Sequence, residues 1–413
     1  MRLKHTLAVF AMTALPLSGG GANFRTDINP ALLYHQAFLL APDLSQDDRT
    51  FLFVTQWRSQ APDPRCVNLI TKYDNMFKLI RQAAHAQVPC DWGLDITDGP
   101  EALLPGLARA KNAAQVVWLR ARQHLIDGKQ EAARDELLAV IVMARNTSRD
   151  GVLISALVQI AIENIVTSFI AENFYRFTPQ TLQELAAGLE ATPARGPVRQ
   201  CMAVEKYSFC DWLIRKIQEF DATSGGNHPV LHAKLREMWG KSLFDPEDKD
   251  RAFLDQFLQA TDGTANGLIT YVRQLEPLYA EATEILGLPW AEFQVRQPEF
   301  AKKVEGHPNL LAAKFFPALE KAREREFAIL AKLAMLQAAI RHKLGGEAAF
   351  KALPDPFGDG PFGFERFVLD GIDRGFKLTS KLNCRDHIAG LILIETPGPA
   401  VRVDSKYIGQ MIP

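Results

Sequence analysis

Residues 102–146 read ALLPGLARAKNAAQVVWLRARQHLIDGKQEAARDELLAVIVMARN, and this stretch decides the fold. Ala114, Val117, Ala121 and Leu125 recur at three- and four-residue intervals, which lines one face of a helix. Gly128 interrupts the pattern. Ala132, Ala133, Leu137, Leu138, Ile141, Val142 and Ala144 then resume it. Glu131, Asp135 and Glu136 fall early in the second run and Arg145 at its end, the order a helix dipole favours. The stretch is therefore expected to form two antiparallel helices.

The same periodicity extends in both directions. Upstream, 29–40, 46–60 and 66–87 are expected as helices, with Pro30 suited to a first turn. Downstream lie 152–175, long and apolar, and 179–191. The segment 192–198 holds two prolines and a glycine and permits a break. Helices are then expected over 199–220, 230–241, 246–260, 267–286, 290–304 and 310–344, the last kinked or started at Pro317. Gly345-Gly346 should end the helices. Residues 353–363 are dense in turn formers, and 364–369, 376–382, 388–395 and 400–403 alternate as strands do. The expected fold is mainly α, a helical-hairpin, repeat-like array with a small C-terminal antiparallel β subdomain. Its divisions are 1–22, 23–192, 199–344 and 353–413.

Residues 1–22 have the plan of a secretory signal peptide. Arg2, Lys4 and His5 precede an apolar run over 6–17, followed by Ser18-Gly19-Gly20-Gly21-Ala22. The run is too short to span a bilayer, and no cysteine follows it to take a lipid. The mature chain is expected to be periplasmic or secreted and not an integral membrane protein. The 413 residues carry a formal net charge of −1, which becomes −3 once Arg2 and Lys4 leave. No basic surplus exists to drive phosphate-backbone binding, so nucleic acid is disfavoured as a partner.

Five cysteines, Cys66, Cys90, Cys201, Cys210 and Cys384, raise the question of disulfides in an exported chain. A straight helix over 67–87 would hold its ends about 30 Å apart, and a disulfide needs Cα atoms within roughly 7 Å. Cys201 and Cys210 on one helix are also too far apart. Any bridge must be long-range, or those helices are broken.

Three resemblances follow from these residues. Leu125, Gly128, Glu131-Ala132-Ala133, Leu137-Leu138 and Ala144 resemble a tetratricopeptide hairpin, over little more than 30 residues and without recurrence at a period of 34. A long helix followed by Asp355-Pro356-Phe357, Gly360-Pro361-Phe362 and aromatic strands, together with Arg149-Asp150, Ile154-Ser155 and Ile162-Glu163 after the hairpin, resembles a group of exported bacterial helical proteins with a short β tail. That resemblance implies no activity. The tail is also distantly similar to the sheet end of pseudopilins, whose methylated amino-terminal helix this chain lacks.

Chemistry-bearing residues are few. Ser155, Gln159, Glu163 and Thr167 recur at four-residue spacing and make one polar stripe on the apolar helix 152–175. They are expected to form either a hydrogen-bonded seam or the floor of a ligand groove, because a buried glutamate without a partner costs several kcal/mol, roughly. His228 and His232, four apart, are weak metal candidates, with His228 expected to cap the helix after it. Asp262, Thr264 and Asn266 have calcium-loop spacing, but Arg273 stands where a bidentate glutamate belongs, so an interhelical turn is expected. Asp245, Glu247, Asp248 and Asp250 suit a helix start. Serine-nucleophile, phosphate-loop, Cys-x-x-Cys and dinucleotide motifs are absent. The sequence therefore points to an exported binding or scaffold protein that recognises a peptide, protein or envelope component, with no catalytic residue and no cofactor implied. The alternatives are a periplasmic hydrolase using Glu163 and the acids of 245–250, and a secretion-assembly component.

Overall fold

Asn29 caps the first helix by accepting from the Ala31 amide at 3.0 Å, and Pro30 occupies the first turn, where its missing N–H costs nothing. The computed structural model describes residues 27–53, 64–241, 249–316, 319–384, 387–397, 401–402 and 411–412. The 1–22 leader, the second half of 46–60, Asp245 to Asp248 and Pro317 lie outside the described residues.

The fold is mainly α with a small antiparallel sheet at its C-terminal end. The N-terminal helices are α1 (Pro30–Leu39), α2 (Gln46–Phe53), α3 (Pro64–Lys72), α4 (Asp74–Ala84), α5 (Pro105–Ile126), α6 (Gln130–Thr147), α7 (Leu153–Glu172) and α8 (Pro179–Ala191). The expected helix 66–87 is broken at Tyr73 into α3 and α4. α5 and α6 pair as the hairpin expected from 102–146, turning at Gly128 with φ +73°.

α7 is the hub. It is apolar on nearly every face, so it must be enclosed on nearly every face. α5 and α6 pack on one side, α17 from the far end of the chain on another, and the sheet closes over it. α7 is long and apolar enough to cross a membrane by length and composition, yet most of it is buried inside the protein. The expected 152–175 helix ends sooner, at Glu172, and is followed by a 3-10 turn at Phe174–Arg176.

The remaining helices are α9 (Cys201–Lys206), α10 (Trp212–Ser224), α11 (His228–Lys241), α12 (Lys249–Gln259), α13 (Ala265–Arg273), α14 (Glu276–Leu286), α15 (Trp290–Glu305), α16 (Ala312–Phe315) and α17 (Leu319–Lys351). A π turn at Tyr207–Asp211 joins α9 to α10. Expected helix 267–286 divides at Gln274-Leu275, and 310–344 divides before Leu319. Gly345-Gly346 does not end the helices. Gly346 adopts φ +71° and ψ −162°, which turns the chain, and helix resumes to Lys351.

The sheet has the order β1 (Gly363–Leu369), β2 (Ile372–Cys384), β3 (His387–Ile394), all antiparallel. Its inner face, with Phe376, Leu378, Leu391 and Leu393, is buried and packs on α17 and α7. β4 (Val401–Arg402) pairs with β5 (Met411–Ile412). One continuous cluster of buried side chains runs from Ala31 to Leu393, across all of the divisions expected from sequence. All five cysteines are free and buried. Burial pushes the thiols of Cys90, Cys201, Cys210 and Cys384 up to about 12.

Candidate functional site

The polar stripe on α7 lies inside the protein. Ser155, Gln159 and Glu163 are each 0% exposed, and Thr167 is 1% exposed. Ser155 Oγ donates to Asp150 Oδ2 at 2.6 Å, so it serves the start of α7. There Asp150 accepts from the Val152 amide and Glu205 from the Leu153 amide, two donors that a helix start leaves without internal partners. Burial pushes both of these carboxyl groups above their ordinary range.

Glu163 is clamped. Arg145 Nε on α6 donates to its Oε1 at 3.1 Å, and Arg195 Nε donates to its Oε2 at 2.8 Å. Gln159 Nε2 adds a third donor at 3.2 Å. The chain of charges continues to α17, where Glu326 lies 3.9 Å from Arg195, pairs with Arg323 and accepts from the Val198 amide at 3.1 Å. Arg145 also donates to the Pro193 carbonyl at 2.8 Å and to Thr192. The segment 192–198, expected as a break, is instead pinned to α6, α7 and α17. These observations place Ser155, Gln159 and Glu163 in an internal seam and not on a groove floor. Both oxygens of Glu163 are engaged, which leaves it poorly suited to act as a free acid or base.

The histidine pair is also accounted for locally. Asn227, not His228, caps α11, accepting from the Val230 amide at 3.2 Å. His232 Nε2 lies 2.8 Å from the Gly263 carbonyl oxygen. Among the described residues no group of three or more His, Cys, Asp or Glu side chains could hold a metal ion. Thr264 caps α13, and Asp262 accepts from the Thr264 amide and hydroxyl. Those hydrogen bonds hold the Asp262 carboxyl below its ordinary range.

An open cavity of about 320 Å³ lies between α14, α15, α16 and α17. Ala282, Ile285 and Leu286 form one wall, and Phe293, Phe300 and Phe316 form the others. An aromatic frame fixes these rings. Phe316 packs on Tyr279 at 4.7 Å and on Phe300 at 5.9 Å between centroids. Phe293 packs on Phe327 at 5.5 Å, and the Arg323 guanidinium covers the other face of Phe327 at 4.0 Å. The cavity wall thereby abuts the far end of the Glu163 charge chain.

One polar group lies within the apolar wall. Gln297 is 8% exposed, lines the cavity and makes no hydrogen bond to the described residues. The amide has no protein partner among the described residues and is available to hydrogen-bond whatever occupies the cavity. Glu305 and Glu320 stand at the rim. The arrangement can hold an apolar group and give it one hydrogen bond in a fixed direction.

Sequence reasoning missed Gln297, although a signal existed. Phe293, Gln297, Phe300 and Val304 follow at steps of four, three and four, so the amide interrupts an otherwise apolar helix face. What the sequence could not show is that α14 and α17 leave space opposite that face. No family model matches the chain, and neither a curated protein nor a solved structure was found to resemble it.

Proposed function

We propose that the chain is an exported binding protein that recognises a peptide, protein or envelope component by seating one of its apolar groups in the α14–α17 cavity. The observation that carries this reading is the partnerless Gln297 amide within a phenylalanine-lined cavity of about 320 Å³. That volume falls in the range of about 300–1,000 Å³ usual for small-molecule sites. The exposed carboxylate of Glu305 in the lining favours a neutral or basic ligand over an acidic one. Export rests on the basic, apolar and small-residue pattern of 1–22.

The test is titration with N-phenyl-1-naphthylamine, a neutral apolar fluorophore with one N–H donor. The expected result is saturable one-to-one binding. It should weaken roughly fivefold or more in Gln297→Leu, which removes the acceptor, and vanish in Ala301→Trp, which fills the cavity from an exposed position. Absence of saturable binding, or equal binding by both variants, would contradict the reading.

A further inference from the structure

A second cavity, of about 380 Å³, opens between α1, α2, α4 and α5, and its chemistry differs from the first. Its floor is apolar, made by Phe38, Leu52, Met76 and Val116, all at most 7% exposed. Its upper wall is polar. Arg49 comes from α2 and Arg109 from α5, and neither guanidinium is engaged by a carboxylate among the described residues. Both line the cavity that Tyr73 also lines, so two helices bring a cation each to the same cavity.

Tyr73 is 7% exposed and lines this cavity, and its hydroxyl has no hydrogen-bond partner among the described residues. Gln115 lines it too, with its amide oxygen buried and unpartnered. Turning that amide to present its NH2 group breaks no hydrogen bond among the described residues. Asn112 adds a further amide. Among the described residues the single carboxylate of the lining, exposed Asp43, offsets one arginine, so one positive charge remains in excess there.

Two cations, a phenol and two amides that can turn their NH2 groups inward line the same cavity as a set of apolar side chains. We infer that this cavity is a second binding site, for an amphiphilic monocarboxylate whose carboxylate is held between Arg49 and Arg109 and whose hydrocarbon chain lies on Phe38, Leu52, Met76 and Val116. One anionic charge balances the lining. Arginine is the side chain best shaped to hold a carboxylate through paired N–H donors. The apolar floor gives about 25 cal/mol per Å² of hydrocarbon covered, a gain open only to a ligand with a tail.

The site shares no residue with the α14–α17 cavity, so it stands or falls separately from the function proposed above. The test is calorimetric titration of the full chain with decanoate, with acetate, inorganic phosphate and decyltrimethylammonium as comparisons. Decanoate is expected to bind one-to-one, and acetate and phosphate at least roughly tenfold more weakly, because they leave the floor uncovered. Decyltrimethylammonium should not bind here. Arg49→Gln and Arg109→Gln change exposed side chains, so the fold is expected to persist. Each should weaken decanoate roughly tenfold, and Asp43→Asn should tighten it severalfold. Gln297→Leu should leave it unchanged. Decanoate binding no tighter than acetate, or binding indifferent to both arginine variants, would overturn the inference. Tighter binding of inorganic phosphate than of decanoate would overturn it as well, by showing a bare anion site.

Discussion

Single residues on α7 and α17 show how narrowly the interior is balanced. Thr167 is 1% exposed and its hydroxyl has no hydrogen-bond partner among the described residues. Replacing it with isosteric valine removes an unpaired polar group and is expected to raise stability by about 1 kcal/mol in urea unfolding; a loss would show that the hydroxyl is satisfied in solution. Lys332 on α17 is a buried charged residue. Burial pushes its pKa down to about 8, and its ammonium donates to Asn164 Oδ1 at 2.7 Å. An unfolded lysine titrates at about 10.4. Between about pH 8 and 10.4 the unfolded chain therefore holds more protons, and this residue's contribution to stability rises with pH. Below about pH 8 the folded protein carries the whole cost, about 3 kcal/mol. Lys332→Met is thus expected to raise the melting temperature at pH 7 and to flatten the rise between pH 8 and 10. A lower melting temperature with an unchanged pH profile would contradict this. The stripe Ser155, Gln159, Glu163 was legible in sequence because its period is helical. Its partners were not, since Arg145, Arg195 and Glu326 come from three separate segments that meet only in the fold.

Elements were legible where local chemistry set them. Asn29-Pro30 started α1, Gly128 turned the hairpin, and Pro179 opened α8 behind the Thr178 cap, as their side chains dictate. The break at Tyr73 was not legible, because no glycine or proline marks it and tertiary packing decides it; the break at Gln274-Leu275 had a local signal in Pro277, which sits in the first turn of α14. The segment 192–198, whose prolines and glycine permit a break, carries Arg195, which lies in the charge chain that joins α6, α7 and α17. Glu163→Gln leaves Arg145 and Arg195 buried without their shared carboxylate and is expected to cost about 3–5 kcal/mol in urea unfolding; a change below 1 kcal/mol would refute the clamp. In the sheet, Gly375 sits at φ +144°, and an added Cβ would overlap the Leu393 carbonyl oxygen on the neighbouring strand. Gly375→Ala should destabilise by about 2–4 kcal/mol and expose β2–β3 amides to hydrogen exchange. Unchanged exchange would show that β3 can shift to admit it.

At the scale of the whole molecule, the sequence shows a succession of helices but not their closure. α17 returns across the chain to pack on α7 and α8, and the sheet that follows it covers α7 again. The most apolar helix thus becomes the centre of one continuous core, and the two cavities open at its periphery, one among the N-terminal helices and one among the C-terminal ones. Neither cavity was visible in sequence, because each depends on helices separated by loops whose geometry no local motif sets. Whether the α14–α17 cavity receives an apolar ligand is decided by hydrogen exchange of the full chain with and without saturating N-phenyl-1-naphthylamine. Slower exchange is expected only in segments from α14 through the first turns of α17, with α1 to α6 unchanged. Protection elsewhere, or none at saturation, would contradict it.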